Sequence, residues 1–190
     1  QSIAEPARQA PTAQASLSHS GLRMSLELAG RVLSSTSFDE LTVMPALILS
    51  AESGDWTYAV TAGYGIPRSR QIAGGSISSQ SWRWGLALRR VVLGQKETRH
   101  WQLLTELGGA LTVLRSEIVS GGSRDRAASP LPTLAMGLLA AYPFSSRMAV
   151  AFGPQLDVFL SDTKPFIRDT RAFSSGWGRV GFDLRLRISL

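Results

Sequence analysis

Residues 180–190 read VGFDLRLRISL. Every second residue, Val180, Phe182, Leu184, Leu186, Ile188 and Leu190, is apolar, and the residues between them, Gly181, Asp183, Arg185, Arg187 and Ser189, carry three charges. A period of two puts these sets on opposite faces of a β-strand. The fold turns on which face meets solvent, and on whether that solvent is water or hydrocarbon.

The same alternation recurs upstream. Residues 21–32 set Leu22, Met24, Leu26 and Leu28 against Arg23, Ser25, Glu27, Ala29 and Arg31. Residues 56–66 set Trp56, Tyr58, Val60, Ala62, Tyr64 and Ile66 against Thr, Ala and Gly. Trp82, Trp84, Leu86 and Leu88 oppose Arg83, Gly85, Ala87 and Arg89; Trp101, Leu103, Leu107 and Leu111 oppose Gln102, Glu106, Gly108 and Ala110. Met148, Val150, Phe152, Leu156 and Val158 oppose Ala149, Ala151, Gly153, Gln155 and Asp157. The stretch LTVMPALILS is apolar on both faces, so its phase is ambiguous. The pattern predicts eight strands, at about 21–33, 40–52, 55–66, 80–93, 99–115, 131–142, 146–160 and 178–190. Their connections alternate. SGD, GQKET and PFSS are short turns, whereas residues 67–80, 116–130 and 161–178 read as long polar loops. Such a series is an antiparallel meander, and eight strands remove both edges by closing into a barrel. Pro45 and Pro154 each delete one ladder donor and predict a bulge or local break.

Composition narrows the setting. The formal charge is +6 and the pI about 10.7, and of 20 basic residues only Lys96 and Lys164 are lysines. Water-facing surfaces ordinarily carry many lysines. There is no Cys, hence no disulfide framework and no Cys metal site. No apolar run reaches the roughly 18 residues of a membrane-spanning helix. Residues 1–20, small, polar and proline-containing, lack the apolar core of a signal peptide and read as a flexible arm preceding the barrel at 21–190. In an exported protein Gln1 would be the residue left by signal cleavage, which mass spectrometry of the native N-terminus checks.

The charged face decides the orientation. Between its charges lie Ala29, Ala59, Gly63, Gly85, Ala87, Gly108, Ala110, Ala135, Gly137, Ala149 and Ala151. Small residues beside a few long charged ones suit a narrow, filled interior, and are poor choices for a water-facing strand. The other face is large and apolar beyond what a soluble monomer exposes. Its aromatics sort by end: Trp56, Trp101 and Tyr142 beside short turns, Tyr64, Trp82 and Trp84 toward long loops. Two girdles of amphipathic rings are the expected lipid-interface aromatics of a transmembrane barrel.

On these grounds the chain, from about 21 to 190, resembles the eight-stranded bacterial outer-membrane barrels of the OmpA/OmpX type. The likeness rests on pattern and turn-length alternation rather than a signature motif. Such barrels typically end in an aromatic residue, and this chain ends in Leu190. The resemblance implies an all-β, antiparallel, up-and-down transmembrane barrel in the bacterial outer membrane, with short periplasmic turns and longer extracellular loops. It also implies an arm, residues 1–20, placed in the periplasm and able to reach a protein partner of the envelope.

The expected lumen ion-pair network comprises Arg23, Glu27, Arg31, Arg83, Arg89, Glu106, Asp157, Asp183, Arg185 and Arg187. It would be structural filling, with a gated pore as the alternative. Candidate lipopolysaccharide contacts are Arg68, Arg70, Arg124, Arg126, Arg168 and Arg171, since guanidinium suits phosphate. Acyl transfer would need a nucleophile beside a base, usually His. His19 falls in the arm, and His100 follows a short turn, where it reads as an interfacial or lumen hydrogen-bonder. No zinc spacing, phosphate loop or nucleotide fingerprint is present. The expected function is a non-enzymatic outer-membrane protein, structural or accessory to an envelope assembly, without cofactor, metal or nucleic-acid partner. The alternatives are a small pore, a lipid A-modifying enzyme and a soluble lipocalin-like binder.

Overall fold

The computed structural model describes residues 22–35, 41–72, 75–94, 100–161, 166–167, 170–171 and 177–190. The expected arm at 1–20 lies outside them. Eight strands close into a barrel: β1 (Arg23–Ser35), β2 (Leu41–Ser53), β3 (Trp56–Ile72), β4 (Gly75–Leu93), β5 (Gln102–Ser120), β6 (Ser123–Pro143), β7 (Met148–Phe159) and β10 (Gly178–Ser189). Each pairs antiparallel with its sequence neighbour in the barrel, and β1 pairs with β10 from Ser25↔Ser189 to Ser35↔Arg179 to complete the circle.

Polarity is inverted relative to a water-soluble protein. Leu28, Leu47, Val60, Leu86, Leu107, Leu138, Phe152 and Leu184, one from each barrel strand, are exposed, whereas Glu27, Arg31, Arg83, Arg89, Asp157, Asp183 and Arg185 are buried. A continuous apolar belt of this kind meets hydrocarbon. Closure then satisfies in-wall backbone groups that lipid cannot.

The belt has a measurable height. On the β3–β4 ladder Tyr64 pairs with Trp82 and Trp56 with Arg90, eight residues further along. That is about 26 Å of strand, or roughly 20 Å along the barrel axis at the usual tilt, comparable with an outer-membrane barrel's apolar band. Tyr64 and Trp82 pack with ring centroids 6.0 Å apart, and Trp101 packs on Tyr142 at 5.2 Å.

The prolines behave as donor loss requires. The β2–β3 ladder ends at Ala46↔Gly63, beside Pro45. The β6–β7 ladder skips two pairs opposite Gly153 and Pro154, then resumes in the same register. Neither is a bulge: the first is the end of a ladder and the second a local break.

The sequence reading ends β3 and β5 too early and begins β4 and β6 too late. Residues 67–72, 75–80 and 116–130 form hairpins rather than the loops expected there. The β3–β4 ladder extends to Ile72↔Gly75, and β5–β6 to Ser120↔Ser123 around Gly121 (φ 56°) and Gly122 (φ 79°). Consecutive positive φ values are what a two-residue turn matching strand twist needs. β2 and β7 stop lower, so the upper parts of β3–β6 stand above the belt as a four-stranded sheet. In the third expected loop, β8 (Phe166–Ile167) pairs with β9 (Thr170–Arg171).

Leu86 sits midway between Trp82 and Arg90 on the outward face of β4. Leu86→Arg is expected to cost about 2–4 kcal/mol of barrel stability, and Val92→Arg, near the short-turn end, about 0–1 kcal/mol. Denaturant unfolding in liposomes reads both; equal costs would contradict the belt.

Candidate functional site

Inward phase brings charged residues from five strands to one layer, and small partners make room for several of them. Arg185 faces Ala29 and Ala151 across its two ladders, Arg83 faces Gly63, Glu106 faces Gly137, Asp157 faces Ala135 and Asp183 faces Gly153. At Gly63 an added Cβ would come within 3.0 Å of the Met44 sulfur, so the space is already filled.

The charges form a chain. Arg31 Nε donates to Asp183 at 3.0 Å, and Arg185 Nε donates to the other Asp183 oxygen at 2.9 Å. The Arg185 guanidinium also reaches across the barrel from β10 to β5, with Nη1 and Nη2 donating to the two oxygens of Glu106 at 2.6 and 3.0 Å. Glu106 further accepts from Arg89 Nε at 2.5 Å, and Arg89 Nη1 donates to Glu27 on β1. Ser50 donates to Glu27 at 3.2 Å and shares a hydrogen bond of 2.8 Å with Ser25. A second group pairs Arg83 on β4 with both oxygens of Asp157 on β7, one at 3.0 Å, and Gln155 donates to Asp157 at 3.2 Å. Every carboxylate in this layer has at least two donors, the condition under which buried charge is tolerated.

Apolar side chains bracket the charged layer. Leu33, Met44, Ile77, Leu114, Ile118 and Leu131 are buried toward the projecting sheet, and Leu104, Leu139 and Ala141 cluster toward the short turns. A cavity of about 30 Å³ remains on the short-turn side, among Glu27, Thr57, Arg89, Leu104, Leu139 and Arg185. It has room for one or two waters.

Two expected members lie elsewhere. Arg23, inward by phase, is exposed where β1 begins and takes no part in the chain. Arg187 pairs with Glu52 at 2.8 Å at the rim. Sequence reasoning missed Glu52, which sat on no alternating segment. It also missed buried Arg179, whose guanidinium lies 5.4 Å from the Phe159 ring centroid. His100 is exposed beside the turn, outside the lumen that Gln102 and Glu106 enter. Among the described residues no group of three or more His, Cys, Asp or Glu could hold a metal.

The candidate lipopolysaccharide contacts divide. Arg124 and Arg126 are exposed on the outward face and share Glu117 at 2.7 and 3.0 Å. Arg68 and Arg70 are also exposed, but a bulge sets Ile66 and Pro67 opposite the single residue Gln80 and reverses the phase of β3. The two arginines therefore share the inward face with Ile77 and Ser79. Arg168 lies outside the described residues, and Arg171 falls in β9.

An inverted, closed and filled eight-stranded wall defines a transmembrane β-barrel. Its fold is that of the eight-stranded outer-membrane barrels. It superposes on a major outer membrane protein of Thermus thermophilus with TM-score 0.65 and 10% identity, over 90% of this chain and 100% of that one. Neisserial surface protein A (NspA) gives 0.57 and 13%, over 90% and 98%. Ail, the attachment invasion locus protein of Yersinia pestis, gives 0.51 and 10%, over 88% and 96%. No family model and no curated protein sequence matches the chain.

Glu106→Gln leaves Arg89 and Arg185 short of a counter-charge and is expected to cost about 3–5 kcal/mol. Arg187→Gln, at the partly exposed rim pair, is expected to cost under about 1 kcal/mol. Unfolding midpoints in micelles compare the two; equal losses would mean the interior pairs contribute no more than the rim pair.

Proposed function

We propose that this chain is a non-enzymatic integral protein of the bacterial outer membrane that acts through its outer surface, as a structural or accessory part of the envelope. The observation supporting this is the interior. Ion pairs from β10 to β5, β4 to β1 and β4 to β7 span it, and apolar layers cover both sides of them. A solute would have to break several buried pairs to pass, so the pore reading is the weaker one. Among the described residues the catalytic reading finds no buried nucleophile–base pair, and the buried carboxylates are committed to arginine.

The outer surface offers a partner chemistry. Just above the belt Arg115, Arg124 and Arg126 face outward around Glu117, a net charge of about +2. In the family's usual orientation this level meets the phosphates of lipopolysaccharide, which guanidinium groups bind well. Ail has been crystallised with the heparin analogue sucrose octasulfate, another polyanion. The proposed contact is therefore an anionic glycan or lipid phosphate at Arg115, Arg124 and Arg126.

Two measurements test this. Pure protein in planar bilayers should show no conductance; reproducible unitary steps would return the pore reading. Arg124→Gln with Arg126→Gln should weaken binding of purified lipopolysaccharide about tenfold, as expected for lost charge-assisted bonds. Unchanged binding would remove this surface from the proposal.

A further inference from the structure

The outward face of the short-turn half carries one side chain that the belt does not explain. Arg90 follows Trp84, Leu86 and Leu88 in outward phase on β4 and is exposed. Its guanidinium carbon lies 5.2 Å from the centroid of the Trp56 ring, its ladder partner on β3. On its other side the ladder places Thr105, also outward and exposed. Among the described residues no carboxylate pairs with Arg90. The lumen cannot supply one, because the neighbouring inward residue, Arg89, is bound to Glu27 and Glu106.

Register fixes the depth. Arg90 is eight residues from Trp82, at the far edge of a belt about 20 Å high. Deeper, a cation facing lipid would be destabilising; at this level the cost is near zero, because the guanidinium reaches the headgroup zone. The Trp56 ring holds it against the wall rather than letting it swing into water. Guanidinium, indole N–H and Thr105 hydroxyl thus gather three donor groups and one positive charge at the lipid–water boundary. An anionic phosphodiester attached to two acyl chains, which pack on Tyr58 and Leu88 above it, fits that arrangement.

We propose that Trp56, Arg90 and Thr105 form a headgroup site for an anionic glycerophospholipid of the leaflet at the short-turn end. The inference rests on the membrane-spanning reading and adds a specific lipid contact to it, on the leaflet opposite the arginine surface above.

The test uses the full chain in nanodiscs of phosphatidylcholine containing a minority of phosphatidylglycerol, with native mass spectrometry counting phosphatidylglycerol retained after detergent release. Arg90→Gln should lower retention about tenfold, the effect of one charge-assisted contact, and Trp56→Leu severalfold. Arg147→Gln, an exposed arginine in the turn before β7, should leave it unchanged. Equal retention by wild type and Arg90→Gln overturns the site, as does an equal loss in Arg147→Gln, which would make the effect general surface charge. Displacement by millimolar inorganic phosphate would assign the contact to a free anion and also overturn it. Heat-modifiable mobility on gels reports folding for each variant. A wild-type chain that fails to enter the nanodisc refutes the membrane reading, whereas an embedded barrel without selective retention refutes only this site.

Discussion

In hydrocarbon no backbone N–H or C=O can fall back on water, and everything about this wall follows from that. The last strand must meet the first, so β10 is zipped to β1 along nearly its whole length. Proline is admitted where a donor is dispensable. Pro130 and Pro132, two apart on β6, leave the β5–β6 ladder unbroken, so the missing donors belong to the opposite edge, above the point where β7 ends. Pro67 lies inside the β3 bulge, already out of register. Pro45 lies where the β2–β3 ladder ends, and Pro154 interrupts a ladder whose register survives because pairing resumes on both sides.

Closure with only eight strands fixes the interior in turn. A wall this tight leaves space for side chains and little else. Arg83 and Arg185 enter where facing ladder positions are Gly or Ala, whereas Arg31 and Arg89 lie across a ladder from the carboxylates that they bind, Asp183 and Glu106. The charges cannot be hydrated by bulk water, so they must satisfy one another. Bidentate geometry explains the choice of arginine: one guanidinium on Arg185 serves Asp183 and Glu106 together, which a lysine ammonium could not do with the same planar fork. The near absence of lysine in the composition is thus in part a consequence of where the cations sit.

That logic marks the limits of what the sequence discloses. Inside the belt, lipid forces one face to be apolar, so a period of two is written plainly at residues 180–190 and 82–89, and strand phase follows from it. Above the belt neither face needs to be apolar. SISSQS and SRDRAASP have no contrast between faces, and the hairpin arms that they form read as loops. Bulges are equally silent: nothing in GIPRSR announces the phase change that turns Arg68 and Arg70 inward. The buried leucines, Leu33, Leu104, Leu114 and Leu131, were hidden for a different reason. They lie on the polar face, where alternation alone assigns small or charged residues, and only the taper of a closing lumen calls for bulk there. Arg23 shows the converse: correct phase, but one turn-end position too far out to be enclosed.

A wall that is uniform to lipid and an interior that is filled leave chemical individuality to the surfaces at the two boundaries. The mass of ion pairs in the centre could be exchanged for other well-packed polar networks without altering what the protein presents to its surroundings. The same is not true at the edges. At one, a sheet standing clear of the belt carries Arg115, Arg124 and Arg126 outward with a single intervening carboxylate. At the other, Arg90 on Trp56 breaks an otherwise apolar surface. Both place guanidinium where phosphate is the abundant anion, on opposite sides of the same belt. The interior carboxylates pair with other arginines, so neither edge depends on them. The sealed lumen and the cationic rims are therefore two parts of one distribution of charge: Glu27, Glu106, Asp157 and Asp183 matched by Arg31, Arg83, Arg89 and Arg185 inside, and other arginines carried outward at the edges of the belt.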